Sequence, residues 1–170
     1  GVVWISFDKS SSESGKATSR IFVGVAQKSG PTVYQSNDAG ATWSAIEGQP
    51  LGPDTAHIMP HHGVIRDSVL YIPYCNKGGP YDGNYGEIWK YNFYTKTWTD
   101  ITPHSHLIDE AWGTETLQKD DAYYGYGGFD VDYQNPNIII AATLNSWWPD
   151  AVLFKSVDGG ATWTKSFYWT

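Results

Sequence analysis

An eight-residue pattern of the form S-x-D-x-G-x-T-W occurs twice in the chain, at residues 36–43 and 156–163. Each copy follows a short apolar run and precedes another short, mixed run. In such a turn the Asp side chain accepts bonds from nearby backbone N–H groups, and the Gly takes a positive φ. The pattern therefore predicts a turn between two antiparallel strands, and its recurrence predicts a chain built of repeats.

A third, altered copy at residues 90–98 keeps the Thr-Trp ending without the Asp or the Gly. Upstream of each Trp we predict an inner strand, a turn, a second strand, a variable loop and a third strand. The inner strands are predicted at 3–7, 57–60 and 128–131, the turns at 8–20, 61–68 and 132–137, and the second strands at 21–26, 69–74 and 138–144. Four-stranded repeats of roughly 40 to 50 residues are typical of β-propeller blades.

The fold class predicted is therefore all-β, a partial β-propeller domain over residues 1–170 with blades at roughly 1–50, 55–103 and 122–170. Propellers close with about 4 to 8 blades, and closure protects their sheet edges. Because three blades do not close alone, we expect the chain to be part of a larger propeller. The alternative is a small protein that oligomerises into a closed ring.

The composition argues against some classes of binding partner. The net charge of −7 argues against nucleic acid, whose phosphates require a basic face. No apolar run approaches the ~20 residues of a membrane span, and the nine Trp and twelve Tyr favour an extracellular type of surface. The single Cys75 forms no internal disulfide and is predicted to be a buried small side chain. No Cys/His spacing indicates a zinc site, so no metal or cofactor is expected.

The long, aromatic-rich loops are predicted to share one end of the blades. In an up-and-down blade the loop between the second and third strands and the connection to the next blade lie opposite the turn between the third and fourth strands. Loops 76–86 and 145–150 and connections 47–56 and 102–127 therefore lie opposite the two Asp-containing turns. Long irregular loops usually carry function, so this end is the predicted binding surface.

Flat aromatic rings beside Asn and Asp side chains suit sugar rings, which have apolar C–H faces and hydroxyl rims. We predict a polysaccharide-binding surface. The substrate-binding candidates are Trp147, Trp148, Asn145, Tyr81, Asp82 and Tyr126. The competing interpretation is that one of the two tryptophans packs on the top of its blade; for Tyr85 and Tyr123 packing is the preferred interpretation.

Other reactive side chains are interpreted structurally. The carboxylate pairs at 109–110 and 120–121 are expected to be solvated loop charges, since such pairs acquire raised pKa values only when buried. His57, His61 and His62 have no nucleophile motif beside them and are expected to form structural hydrogen bonds. Asp38 and Asp158 are expected to hold their own turns.

The repeated turns, the Gly79–Gly83 and Glu87–Asn92 stretches, and Gly127–Asp132 leading to Leu144–Asp150 resemble glycoside hydrolase family 74, the xyloglucan-specific endo-β-1,4-glucanases and oligoxyloglucan-releasing enzymes. The resemblance extends along all of the chain. It implies two tandem seven-bladed propellers that face each other across an open cleft, with this segment inside the N-terminal one. It also implies a secreted enzyme and xyloglucan or a related β-glucan as the bound polysaccharide.

The resemblance further implies inverting hydrolysis by one Asp from each propeller, in a Thr/Gly-Asp-Ile/Val-Gly-Gly context. The chain lacks that context, and its single Asp-Gly-Gly, at 158–160, belongs to a repeated turn. No catalytic residue is therefore predicted here, and the segment is expected to supply cleft wall and sugar-binding loops.

Two other functions remain open. A sialidase uses the same turns but needs three Arg for its anionic substrate, and this chain contains only Arg20 and Arg66. A non-catalytic glycan- or protein-binding propeller would be expected to present a contiguous apolar patch, whereas the rings here are interleaved with Asn, Asp and Gly.

Overall fold

The computed structural model describes residues 1–52, 57–76, 85–103, 125–144 and 151–169, which form three antiparallel sheets. The first sheet contains β1 (Val2–Phe7), β2 (Ile21–Val25), β3 (Val33–Ser36) and β4 (Ser44–Ala45). The second contains β5 (Met59–Pro60), β6 (Val64–Arg66), β7 (Val69–Cys75), β8 (Ile88–Asn92) and β9 (Thr97–Asp100). The third contains β10 (Gly125–Val131), β11 (Ile139–Leu144), β12 (Ala151–Ser156) and β13 (Thr164–Trp169). A 3-10 turn, Lys9–Ser11, follows β1.

The first and third sheets are meanders in which successive strands are hydrogen-bonded neighbours, and in the second sheet β5 and β6 both pair with β7, which is followed by β8 and β9. The predicted all-β propeller segment is confirmed, and the three sheets are called the first, second and third blades. Strands β2, β7 and β11 are largely apolar runs, and each lies inside its sheet. Side chains on both faces of β2 and β7 are buried, whereas in β11 Ile139 and Ala141 are buried and the alternate residues are partly exposed. β1 instead alternates, since only the side that carries Trp4 is buried.

The inner strand of the second blade differs from the prediction. Residues 61–68 were predicted as a turn, but Val64–Arg66 form a strand that pairs with β7 beside the shorter β5. The reason lies in Gly63, where a Cβ would come within 2.5 Å of Trp4 Cζ3. The Trp4 ring packs on this bare backbone, and the Ser6 hydroxyl donates to the Gly63 carbonyl at 2.6 Å.

The core lies between the blades. One cluster joins the first two blades and contains Trp4, Phe22, Val33, Ile46, Ile58, Leu70, Ile72, Tyr74, Tyr85, Tyr91 and Phe93. The other joins the last two and contains Val64, Tyr71, Ile88, Ile101, Tyr126, Val131, Ile139, Ala141, Val152, Phe154 and Trp163. Apolar burial, the main favourable contribution to folding, is therefore obtained by stacking one blade on the next.

The two interfaces repeat one geometry. Ile46 follows the last strand of the first blade and donates its N–H to the Val33 carbonyl at 3.1 Å. Ile101 follows the last strand of the second blade and donates to Ile88 at 2.8 Å. Each blade thus turns an equivalent apolar surface toward its successor.

Candidate functional site

The strand ends place the predicted binding loops at one end of the blades. β7 ends at Cys75 and β8 begins at Ile88, and β11 ends at Leu144 before β12 begins at Ala151. The two Asp-containing turns join the opposite ends of the third and fourth strands. The strand ends that flank these loops therefore lie at the end of the blades predicted to form the binding surface.

Five of the six predicted substrate-binding residues lie outside the described residues. These are Trp147, Trp148, Asn145, Tyr81 and Asp82. The carboxylate pairs at 109–110 and 120–121 and Tyr123 also lie outside the described ranges. At the loop-bearing end of the blades, the structure describes the strand ends that flank these loops and the hydrogen bonds between them.

Tyr126, the sixth candidate, lies in the core between the second and third blades and is 2 % exposed. The register shift between Tyr126 and Gly128 in β10 turns its ring inward. Burial raises the pKa of Tyr126 above its usual range. A ring that is covered in this way has no open face for a sugar, so the geometry corrects the direct-contact prediction to a packing role.

The base of the second-blade loop is held by hydrogen bonds. The Asn76 N–H donates to the Tyr85 carbonyl at 2.9 Å, and the Tyr85 N–H donates to Asn76 Oδ1 at 3.3 Å. The Tyr85 hydroxyl donates to Glu87, whose second oxygen accepts the Trp89 indole N–H. Tyr85 is buried, as predicted, and the carboxylate of Glu87 is the group that fixes it.

The role of Glu87 was missed in the sequence. The sequence does contain a signal for this role, since Glu87 lies two residues after Tyr85 and two before Trp89. Alternate residues of an extended chain share one face, so the three side chains can meet. Glu87 also acts on Tyr74, since burial and the Glu87 charge raise the pKa of that phenol well above its usual value. The Tyr74 hydroxyl has no hydrogen-bond partner among the described residues.

The third-blade loop starts from a similar anchor, because the Val152 N–H donates to the Thr143 hydroxyl at 2.9 Å. This bond lies just inside the strand ends that carry residues 145–150. Both loops therefore leave from hydrogen-bonded, buried strand termini.

The Asp-containing turns are held internally. In both copies the Asp accepts bonds from the Thr hydroxyl, the Thr N–H and the Ser hydroxyl of the same turn. Those bonds lower the pKa of Asp38 and of Asp158 to about 2, and the bond from the Thr hydroxyl has the largest effect. A carboxyl group this acidic is ionised at neutral pH and is no general acid, which agrees with the predicted structural role.

A cavity of about 760 Å³ lies where the carboxyl ends of the three inner strands converge, at the end of the Asp-containing turns. Its walls include His62, Arg66 and Asp130. Since inner strands surround the central channel of a propeller, the cavity marks the axis. The other two of the three candidate histidines do not line this cavity, and the His61 N–H donates to the Pro73 carbonyl at 2.8 Å. His57 Nε2 is buried with no hydrogen-bond partner in the described part of the chain, so the predicted structural bond is not seen there.

The two arginines are already engaged. Arg20 pairs with the buried Asp8 at 2.9 Å and lies over the Phe93 ring at 4.7 Å. Arg66 pairs with Asp130 at 3.3 Å. Neither is arranged with a second arginine for a carboxylate substrate, which counts against the sialidase alternative.

Two further properties concern the described residues. They contain no group of three or more His, Cys, Asp or Glu side chains placed to hold a metal ion. They also contain no helix with the length and apolar character needed to cross a membrane. Cys75 is buried, as predicted.

Comparison with known proteins finds close similarity to xyloglucanases. The chain is 50 % identical over 166 residues to a xyloglucanase of Paenibacillus sp., covering 97 % of the chain and 14 % of that protein. It is 45 % identical over 171 residues to a xyloglucanase of Acetivibrio thermocellus, covering 99 % of the chain and 18 % of that protein. The chain thus spans less than a fifth of the length of these relatives, and no family model matches it.

Among solved structures, the GH74 xyloglucanase of Xanthomonas campestris superposes with a TM-score of 0.80 at 30 % identity. The match covers 98 % of this chain and 21 % of that enzyme. All three blades therefore have counterparts in a single known fold.

Proposed function

Because the chain belongs to glycoside hydrolase family 74, as a segment of a longer protein, we propose that the whole protein hydrolyses the β-1,4-glucan backbone of xyloglucan. The observation that carries this proposal is 50 % identity to a xyloglucanase along 97 % of the chain, which spans every blade and both loop-bearing strand ends. A similarity confined to the repeated turns would support only the fold.

The segment would supply cleft wall and sugar-binding loops. We assign substrate contact to Trp147, Trp148, Asn145, Tyr81 and Asp82. Indole and phenol faces pack against the apolar faces of glucose and xylose units, while the amide and the carboxylate bond their hydroxyls. Support comes from the hydrogen-bonded strand ends below both loops and from the buried Glu87, which reduce the conformational freedom that binding must remove.

The proposed chemistry is inversion at the anomeric carbon. A carboxylic acid protonates the glycosidic oxygen as the C–O bond breaks, and a carboxylate accepts a proton from the water that attacks the opposite face. The two carboxyl groups need a separation of roughly 6.5–9.5 Å to admit that water. We place this pair outside the chain, one Asp in each propeller, since Asp38 and Asp158 are committed to their turns.

The remaining blades of the same propeller and a second propeller are the proposed intramolecular partners, with the blade limits given above for this partial domain. A polymeric glucan does not enter cells intact, so we also propose that the protein is secreted and acts extracellularly.

The test uses the whole protein on soluble xyloglucan. We expect hydrolysis in which the first-formed reducing ends are α-anomers, observed by proton NMR before mutarotation. Trp147→Ala and Trp148→Ala should raise KM several-fold. The matched control is Tyr133→Ala, an exposed ring in a turn at the opposite end, which should leave KM unchanged.

Binding of xyloglucan without hydrolysis would instead identify a non-catalytic propeller. First-formed β-anomers would exclude inversion, and unchanged KM in both tryptophan variants would exclude the proposed contact residues.

A further inference from the structure

The side chain of Gln49 holds the connection between the first and second blades. Its Oε1 accepts the Thr32 N–H at 2.7 Å and the Val33 N–H at 2.8 Å. Its Nε2 donates to the Val33 carbonyl at 3.0 Å and to the Ile46 carbonyl at 2.7 Å. A side-chain amide has two donor hydrogens and two acceptor lone pairs, so the hydrogen-bonding capacity of this group is fully used.

These bonds take the place of a longer outer strand. β4 is two residues long and pairs only with Tyr34 and Gln35 of β3. Thr32 and Val33 come before that pairing, and both are fully buried. Because a buried N–H group without an acceptor is costly, the bonds to Gln49 fix the position of this side chain at the start of β3. That start lies at the loop-bearing end, since the Asp-containing turn follows the other end of the strand.

The main chain on either side of Gln49 is attached to the second blade. Before it, the Trp98 indole N–H donates to the Glu47 main-chain carbonyl at 3.1 Å. After it, the Leu51 carbonyl accepts the Ile58 N–H at 3.1 Å. The segment is therefore bonded to the first blade through the amide of Gln49 and to the second blade through its own main chain.

This fixed segment presents Leu51 at the loop-bearing end, where the side chain is 42 % exposed. Among the described residues outside strands, the other exposed large apolar side chains all lie at the opposite end: Trp43, Tyr94, Tyr133 and Val157. The C–H face of a sugar ring is an apolar surface that such a side chain can cover. A side chain on a fixed segment also loses little conformational freedom when a ligand binds to it.

We propose that Leu51 packs against a sugar ring of the bound xyloglucan chain and that Gln49 is the positioning residue that holds Leu51 there. The inference rests on the proposed function, whose contact residues are assigned to loops at the same end of the blades. It adds a contact on the connection from the first blade, so the sugar-binding surface extends over all three blades.

Steady-state kinetics of the whole protein on soluble xyloglucan test both parts. We expect Leu51→Ala to raise KM about three-fold at unchanged kcat and unchanged Tm, because part of an apolar contact is lost. Gln49→Ala should raise KM at least as much and should also lower Tm, since two buried N–H groups lose their acceptor.

Matched controls lie at the end of the Asp-containing turns. Val157→Ala shortens an exposed apolar side chain there. Gln35→Ala removes an amide of the same type as that of Gln49, but one that bonds the exposed Asn37 side chain at 2.6 Å. Both control variants should leave KM unchanged.

The double variant separates positioning from stability. If Gln49 acts on the substrate through Leu51, the KM of the Gln49→Ala, Leu51→Ala variant should equal that of Gln49→Ala alone. A side chain that serves only stability would leave the effect of Leu51→Ala on KM at its full size. Gln49→Glu is a milder second variant, because it retains an acceptor for the two N–H groups and loses both donated bonds. It replaces Gln49→Ala in this comparison if the alanine variant does not fold.

An unchanged KM in Leu51→Ala would overturn the contact, and effects on KM that multiply in the double variant would overturn the positioning role. The native protein separates these outcomes from the proposed function. Hydrolysis by the native protein, with Leu51→Ala unaffected, contradicts this inference alone. Binding of xyloglucan without hydrolysis contradicts the proposed hydrolysis, and the dissociation constants of the same variants then replace KM. Neither binding nor hydrolysis by the native protein would contradict both.

Discussion

The carboxylates of Asp38 and Asp158 each organise a complete turn. Asp158 accepts the Thr162 N–H at 2.9 Å through one oxygen and the Thr162 hydroxyl at 2.5 Å through the other. The Ser156 hydroxyl adds a third bond, at 2.7 Å, and accepts the Gly160 N–H in turn. Bonds to the ionised form favour it, which is why the pKa of this exposed group is about 2.

A depressed pKa makes the stability of the turn depend on pH. Since the folded pKa of Asp158 is about 2 and its ordinary value is 3.8, protonation favours the unfolded chain. Its contribution should be complete above about pH 4 and lost as the pH falls toward 2. The Tm difference between the native protein and Asp158→Asn should therefore be constant from pH 7 to about 4 and shrink below it. A difference that persists undiminished at pH 2 contradicts this account.

The residue after each Asp takes a left-handed conformation, with φ of 58° at Ala39 and 72° at Gly159. A side chain is strained there, so reciprocal substitutions should have opposite effects. Gly159→Ala should destabilise by about 1–2 kcal/mol, because its Cβ would meet only ordinary contacts and the cost is that of the left-handed backbone. Ala39→Gly should stabilise by a similar amount. Denaturant unfolding of both variants measures this, and effects of equal sign would refute it.

Among the strands, the hairpin of β7 and β8 depends on a buried carboxylate. Glu87 accepts the Tyr85 hydroxyl and the Trp89 indole at the point where this hairpin carries the second-blade loop. Glu87→Gln removes the charge and leaves an amide that cannot accept both bonds. We expect a loss of about 1–3 kcal/mol in unfolding free energy and a higher KM for xyloglucan at unchanged kcat. Glu47→Gln, the same change at an exposed position, is the control. Unchanged stability in Glu87→Gln would show that the network is dispensable.

Sequence patterns predicted the strands well where the apolar runs were continuous, as in β2, β7 and β11. They failed at Val64–Arg66, because that short run is held as a strand by the Trp4 ring on Gly63, a contact between two blades. They also failed at Tyr126, where a register shift turns an apparent loop aromatic into the core. Long-range packing and bulges leave no periodic pattern in the local sequence. The sequence therefore did not reveal the strand at Val64–Arg66 or the burial of Tyr126.

Across the whole chain, stability and function are assigned to different parts of each blade. The surfaces between blades hold the apolar clusters and the indole-to-carbonyl bonds of Trp98 and Trp163. The loop-bearing ends hold the residues assigned to sugar binding. A substitution in an interface should therefore act through folding, whereas one in a loop should change KM and leave Tm unchanged.

The same separation predicts the behaviour of the 170-residue chain by itself. Asp8 is committed to Arg20 and Asp158 to its turn, and no acid and base pair is assigned to the chain. We expect no release of reducing ends from xyloglucan by this chain under conditions where the whole protein turns over. Circular dichroism of the chain must show β structure for the comparison to count. Turnover by the chain alone would place the acid and the base among its own carboxylates and would displace the two-propeller assignment of the catalytic pair.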